Sequence, residues 1–449
     1  MIGWWARNRY IAAATVVVFV AGYVLLFLTG VTTTRHLVDN LVAGYLMAWG
    51  LFAMLSDLSR AELGKRFILT TATIVSCFVI AESAVVLGMV DYRSVFGTPR
   101  LTHALSMAGR QFDPELGWVR EPYYEFEADY QGNLGRGLCI PPDPSQRIKV
   151  QYDQNGFRNR RDMTAADIVM IGDSYIEAPM TADDVLSTSI LARLQGKAVA
   201  NLGSSGYGPP QELRVLTRYG IPLHPETVIW AFYEGNDISD MKGYERNAAS
   251  LIGESKFWQD FWFRSLSRNL LAFYFFRPSG WECVPSPRIQ PYQAEFTHYD
   301  KMVSPVFFAP PDDVDSFPSN DDLRAAGTYI AEAAALCRER NIRFIVAFVP
   351  DKYRVYAGLS NVALTTDKIR SWRLDDSPAR LERILAAMIP DLEYVDLTPA
   401  LQSESRRGVP TYLSDDTHWS AEGHRVVAGA LHLTIESRAL RAPVQRAKR

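Results

Sequence analysis

The chain has 449 residues, more than one ordinary domain at roughly 100–200 residues each. With 48% hydrophobic and 22% charged residues it can bury a large core. A net charge of −3 gives no bulk attraction for nucleic acid or anionic lipid, which sets both aside as charge-driven partners.

Tyr10 to Thr29 carries no charge and is long enough to cross a hydrocarbon core, which takes about 20 residues. A second apolar stretch, His36 to Leu55, is broken only by Asp39, and a third, Phe67 to Val90, holds one ionisable residue, Glu82. Three spans with short connections predict a membrane anchor over residues 1–92. A cleaved signal peptide is the rival reading of the first span, but its apolar stretch is long and no small-residue cleavage site follows. Arg7 and Arg9 precede the first span, and Arg60, Lys65 and Arg66 separate the second from the third. Only Arg35 lies between the first and second. That asymmetry puts the amino terminus in the cytoplasm and everything after Tyr92 outside, with Arg93 and Arg100 weakening it without reversing it. Glu82 reads as a group near the outer interface that contacts Asp39, His36 or water; a functional polar contact is the alternative.

Residues 93–165 hold Gly, Pro and aromatics without helical periodicity and form a β-rich or irregular lead-in, closed by the turn signal Asn155-Gly156. From 166 the pattern changes to strands alternating with amphipathic helices, the mark of a parallel sheet covered on both faces. Strands are expected at 167–171, 197–202, 226–232, 342–349 and 392–396, and helices near 184–195, 209–219, 321–340, 376–389 and 420–437. Ser420 caps the last helix. Residues 241–320 interrupt the alternation with aromatics such as Phe257, Trp258, Phe261, Trp262 and Phe263. This insertion reads as a lid or substrate wall, as a self-packed unit, or as a face against the membrane. Residues 438–449 form a basic tail.

Of the four cysteines, none is spaced as a metal knuckle or redox pair. Cys77 and Cys337 read as small buried residues, while Cys139 and Cys283 can pair if they face an oxidising compartment.

Chemistry gathers at the strand ends. The run Asp167-Ile168-Val169-Met170-Ile171 empties into Gly172-Asp173-Ser174, which places a hydroxyl where open α/β sheets put their sites. A serine needs a base, and the base needs a third group to fix its tautomer. Only His418, in Asp415-Asp416-Thr417-His418-Trp419, sits in a late strand-to-helix loop with carboxylates beside it; His424 and His432 read as structural. A metal site on Asp415, Asp416, His418 and His424 lacks the paired-histidine spacing of zinc hydrolases and is set aside. The Ser174 N–H, the Gly206 N–H and the Asn236 amide are the candidate oxyanion donors.

These four pieces, in this order, resemble the SGNH (GDSL-like) hydrolase superfamily. Gly172-Asp173-Ser174 matches its first block, Ser205-Gly206 the second, Gly235-Asn236-Asp237 the third and the His418 segment the last, over about 166–437. The resemblance implies a flavodoxin-like three-layer α/β/α domain with a parallel sheet, acting on esters without metal or organic cofactor. His418-Trp419 and Pro350-Asp351-Lys352-Tyr353 also resemble the bacterial, membrane-linked branch related to alginate O-acetyltransferases. In that branch the orienting acid stands two before the histidine, at Asp416; the broader pattern places it three before, at Asp415. Both stay open, with the adjoining Trp419 favouring Asp416. The expectation is an inner-membrane serine enzyme whose domain lies on the periplasmic or extracellular side. It removes acyl groups, chiefly acetyls, from a glycan, or transfers them with a membrane acyl-donor partner. A binding or assembly protein with a retired site is the third reading, and the intact Ser, Asn and His argue against it.

Overall fold

A computed structural model describes residues 58–92, 109–141, 143–251, 264–270, 292–309 and 318–439, with a few isolated positions outside them. The chain divides into two compact units. One gathers Met1–Phe96 and Arg264–Arg277, the other Gly97–Phe263 and Pro278–Arg449.

In the first unit a helix runs Arg60–Val86, started by Ser59, whose hydroxyl accepts from the Glu62 N–H. It is the one helix among the described residues that is long and apolar enough to cross a membrane. Ile68, Leu69, Ile74, Val79 and Ile80 stand exposed along it. The expected spans Tyr10–Thr29 and His36–Leu55 lie outside the described residues, apart from isolated positions in the second. Asp39 and His36, the expected partners of Glu82, lie outside the described residues; the Glu82 carboxylate accepts from the N–H groups of Leu266 (3.1 Å) and Ser267 (2.8 Å) and from the Ser267 hydroxyl. Unpaired N–H groups at the start of a helical turn satisfy the carboxylate there.

The second unit opens with two antiparallel hairpins, β1 (Arg110–Asp113) with β2 (Gly117–Arg120), and β3 (Glu125–Tyr130) with β4 (Asp143–Gln151). Then come β5 (Ile168–Gly172), β6 (Val199–Gly203), β7 (Thr227–Tyr233), β8 (Gln293–Thr297), β9 (Val303–Phe307), β10 (Arg343–Val349), β11 (Val362–Leu364) and β12 (Glu393–Asp396). Five of them make one sheet in the order β12-β10-β7-β5-β6, every pair parallel. Counted along the chain this is the 2-1-3-4-5 order of flavodoxin-like sheets, whose order reverses beside β5. β5 and β7, apolar but for Thr227 at the start of β7, are buried at every position, as strands covered on both faces must be.

Alternation along each strand feeds two cores. Ile168, Met170, Ile229, Ile345 and Ala347 pack with Leu191, Leu401 and Leu431 on one face. Val169, Ile171, Trp230, Val346 and Phe348 pack with Leu213, Leu323, Ile330 and Leu381 on the other. The covering helices Ser187–Gln195, Pro209–Val215, Asn320–Glu339, Ser377–Met388 and Ala421–Ala439 fall where the apolar period placed them. Ser420 caps the last, its hydroxyl accepting from the Gly423 N–H at 3.1 Å.

The insertion differs from the expectation in detail. Its expected start at 241 falls inside a helix, Asp237–Leu251, and β8 and β9 join β11 in a separate antiparallel sheet. Its aromatics at 257, 258, 262 and 263 lie outside the described residues. Cys139 is disulfide-bonded and Cys77 and Cys337 are free, with Cys337 buried and Cys77 exposed on the Arg60–Val86 helix rather than tucked into a core. Cys283 lies outside the described residues.

Gly203 ends β6 against the helix that follows β5. A Cβ there would stand 2.4 Å from the Glu177 nitrogen and 2.6 Å from the Ile176 Cβ. We expect Gly203→Ala to lower unfolding free energy by about 1–3 kcal/mol, the usual cost of overpacking, measured by denaturant unfolding of the solubilised chain.

Candidate active site

β5 delivers its last residue, Gly172, to the carboxyl edge of the sheet, and the chain turns at once into the helix Ser174–Glu177. Asp173 caps that helix, its Oδ1 accepting from the Tyr175 N–H at 2.9 Å. Ser174 therefore stands at the strand end beside which the sheet order reverses. Its Oγ lies 2.7 Å from His418 Nε2, and His418 Nδ1 lies 2.5 Å from Asp416 Oδ1. With the Nδ1 proton turned to Asp416, Nε2 is left as acceptor for the serine hydroxyl.

The loop carrying His418 is held from several sides. The Leu413 N–H donates to the His418 carbonyl at 3.1 Å, closing a turn that pairs Tyr412 with Trp419. The buried Lys352 ammonium donates to the carbonyls of Phe307 (2.7 Å), Leu413 (2.5 Å), Ser414 (3.0 Å) and Asp416 (2.9 Å). Tyr175 donates its hydroxyl to the Thr417 carbonyl at 2.6 Å and packs its ring against His418 and Trp419.

The two neighbouring acids do different things. Asp416 Oδ1 also takes the His418 N–H (2.9 Å), and its Oδ2 takes the Asn133 N–H (2.7 Å). Asp415 faces the other way and does not reach the imidazole: its Oδ1 accepts from Tyr130 (2.7 Å) and its Oδ2 from the Gly132 N–H (3.1 Å). The two side chains diverge from this turn, so only Asp416 meets the ring. His424 and His432 stand apart from the site, the first accepting from the Ser187 N–H and the second paired with Gln195.

Burial pulls the His418 imidazolium down, but the charge and hydrogen bond of Asp416, joined by Asp173 and Glu177, outweigh it; the ring's pKa lies above the ordinary 6.5. Burial pushes the Asp416 carboxyl up, and the His418 charge with the hydrogen bonds from His418 and Asn133 brings it below the ordinary range. Near Ser174 stand three buried carboxyls, Asp173, Glu212 and Asp237, and a half-buried one, Asp240. Burial raises all four, mutual repulsion adds to the rise at Glu212, Asp237 and Asp240, and Asp240 reaches about 7.

The three candidate oxyanion donors lie at the ends of adjacent strands. Gly206 follows β6 with φ at +78°, a left-handed backbone that suits glycine, and a Cβ there would meet nothing within 4 Å. Conformation, not crowding, explains the glycine. Asn236 follows β7 and donates from Nδ2 to Asp240 Oδ2 at 2.8 Å, leaving its second amide hydrogen for another acceptor.

What the motifs alone did not reveal is the part played by residues 109–159. Asn133 binds Asp416, Tyr130 binds Asp415, and Arg110 donates to the Ser205 carbonyl at 3.0 Å. Arg120 and Tyr152 both reach Glu177, and Arg158 ties the Glu177 and Ala178 carbonyls to Asp183. Periodicity carries no trace of such contacts; the density of arginines in an otherwise irregular, aromatic segment was the available signal.

Comparison with known proteins assigns the class. Residues 311–448 match the family model described as SGNH hydrolase-like domain, acetyltransferase AlgX, a span that holds His418 but not Ser174. That segment is similar to an SGNH hydrolase-like domain. Within that class, the matching model is the one named for an acetyltransferase. No curated protein sequence matches the chain. Among solved structures it is similar to a putative lipolytic protein of the G-D-S-L family from Desulfitobacterium hafniense, at 13% identity over 60% of this chain and 98% of that one, with a TM-score of 0.32. A GDSL-like lipase from Bacteroides thetaiotaomicron shows 15% identity over 60% and 88%, TM-score 0.30. An acetyl xylan esterase from Butyrivibrio proteoclasticus shows 10% over 66% and 72%, TM-score 0.30. Likeness at this level adds nothing to the argument.

Two outcomes are expected. Asp416→Asn should lower kcat by about 10³–10⁴, because an amide holds the wrong imidazole tautomer, whereas Asp415→Asn should leave kcat within about tenfold and act mainly on stability. Steady-state kinetics with an activated acetyl ester, beside thermal unfolding, separates them. The base works only when neutral, and its neutral fraction grows as pH rises through a raised pKa. A plot of kcat/KM against pH should therefore climb with its midpoint above 6.5.

Proposed function

We propose that the protein is a membrane-tethered serine enzyme that acts outside the cytoplasm on acyl esters, chiefly acetyl esters, of a glycan. The observation that carries this reading is the unbroken hydrogen-bonded chain from Ser174 Oγ through His418 to Asp416. In the proposed reaction His418 Nε2 takes the proton of Ser174 as Oγ attacks the acyl carbonyl. Asp416 holds the ring and stabilises its cation. The Ser174 N–H, the Gly206 N–H and the Asn236 amide receive the oxyanion. Collapse expels the sugar oxygen, which takes the proton back from His418, and leaves the acyl group on Ser174. A water or a second sugar hydroxyl then attacks the acyl carbonyl with His418 again as base, restoring the enzyme.

Three observations support the location. The Arg60–Val86 helix is mostly apolar and largely exposed, which suits a bilayer span. The disulfide at Cys139 suits an oxidising compartment. Segment Arg264–Arg277 of the insertion groups with the amino-terminal unit, which favours placing part of the insertion at the membrane.

The second reading, a polysaccharide O-acetyltransferase, uses the same triad and differs in the acceptor. The match of 311–448 to a domain named for an acetyltransferase favours keeping it. It requires a membrane partner to supply the acyl donor. A panel of acetylated glycans, incubated with wild type and Ser174→Ala, decides between them by free acetate against acetyl on an added acceptor glycan. Acetate release lost in Ser174→Ala supports the esterase; transfer to the acceptor, lost in the same variant, supports the transferase. Turnover that persists in Ser174→Ala contradicts both.

A further inference from the structure

An oxyanion donor helps only if its direction is set before the reaction begins. The Gly206 N–H belongs to the same peptide as the Ser205 carbonyl, and in a planar trans peptide the two point in opposite directions. Whatever holds the Ser205 oxygen therefore aims the Gly206 hydrogen. Arg110 holds it, with Nη2 donating to the Ser205 oxygen at 3.0 Å. The guanidinium is itself fixed, its Cζ lying 3.3 Å from the centre of the Trp118 ring.

Ser205 is gripped on its other side as well. Its N–H donates to Glu177 Oε2 at 2.6 Å and its hydroxyl donates to the same oxygen at 2.5 Å. Glu177 is the last residue of the helix that begins with Ser174. Its other oxygen accepts from Arg120 Nη2 at 2.9 Å and from the Tyr152 hydroxyl at 2.6 Å. Burial pushes the Glu177 carboxyl up, but the charge of Arg120 and the hydrogen bonds from Ser205 and Tyr152 hold it down at about 2, so it stays ionised across the working range. Gly206, by contrast, is exposed, and its N–H has no partner among the described residues.

We propose that Arg110 and Glu177 are positioning residues that lock the Ser205–Gly206 peptide between them and thereby aim the Gly206 N–H at the oxyanion formed on the acyl group of Ser174. Stability alone is a poor account of this arrangement, since buried ion pairs are often replaceable by apolar residues at little cost. A carboxylate that couples the nucleophile's own helix to the donor loop does something an apolar pair cannot. It fixes the distance between attacking oxygen and oxyanion donor.

The inference rests on the serine-enzyme reading above, and the test separates the two. Full-length wild type, Ser174→Ala, Arg110→Met and Arg110→Lys are compared in detergent for hydrolysis of p-nitrophenyl acetate and for binding of a phenylboronic acid, which forms a tetrahedral adduct with an active serine. Arg110→Met should lose about 10–10² in kcat with KM within about twofold, and its boronate affinity should fall in parallel with kcat/KM. Arg110→Lys, still able to donate to the Ser205 carbonyl, should recover most of that loss. A folded Arg110→Met with wild-type kcat and boronate affinity overturns the positioning role while Ser174→Ala remains silent. Turnover persisting in Ser174→Ala overturns the serine reading and this inference together. If Arg110→Met does not fold, Ser205→Ala takes its place: a several-fold drop in boronate affinity supports the lock, and unchanged affinity refutes it.

Discussion

A carboxylate that is almost fully buried must have its charge answered on every side, and Asp416 sets that condition for this protein. One oxygen meets the His418 ring at 2.5 Å and the His418 N–H at 2.9 Å; the other takes the Asn133 N–H at 2.7 Å. Left unpaired at that depth, the group would cost several kcal/mol or give up its charge. Paired in this way it stays ionised and fixes which imidazole nitrogen carries the proton. The free nitrogen then faces Ser174.

The same condition explains why residues 109–159 cannot be a detachable leader. They supply Asn133 to Asp416, Tyr130 and Gly132 to Asp415, Arg110 to Ser205 and Arg120 to Glu177. A parallel sheet brings its strand ends to one edge but leaves the loops there without hydrogen-bond partners of their own. The two small hairpins provide those partners. Lys352 does the corresponding work from the far side, with one ammonium spread over the carbonyls of the Leu413–Asp416 turn and of Phe307. Burial lowers its pKa to about 7 against the pull of Asp416, Asp415 and Asp351, so this tie weakens if the ammonium loses its proton.

Much of this was legible in the sequence because parallel-sheet strands announce themselves. Ile168–Gly172, Val228–Tyr233 and Ile345–Val349 are apolar runs buried on both faces, and the strands that hold them begin within two residues of their expected starts. The helices between them carry a 3.6-residue apolar period. Gly172-Asp173-Ser174 and the Asp415–Trp419 run stood out because each joins a strand or helix boundary to a reactive side chain. The choice between Asp415 and Asp416 was not legible: adjacent acids in a loop have no period, and only the positions of Tyr130 and Asn133 direct one away from the ring and one toward it. Arg110 and Glu177 were hidden for a related reason. Their partner is a backbone peptide across 95 and 28 residues of chain, and backbone atoms leave no mark in a sequence.

On the proposed reading the site handles the first half of an acyl exchange and is indifferent to what accepts the group afterwards. Water and a sugar hydroxyl present the same oxygen to the same base, so acceptor choice belongs to the surroundings of the site rather than to the triad. The most direct test of the central claim is to trap the shared intermediate. Full-length protein mixed with an activated acetyl ester, quenched in acid within its first turnover and digested, is mapped by mass spectrometry. The account predicts a single acetyl adduct on the peptide containing Ser174, absent when His418 is replaced by alanine. An adduct on any other residue, or one on Ser174 that forms equally fast without the imidazole, would contradict it.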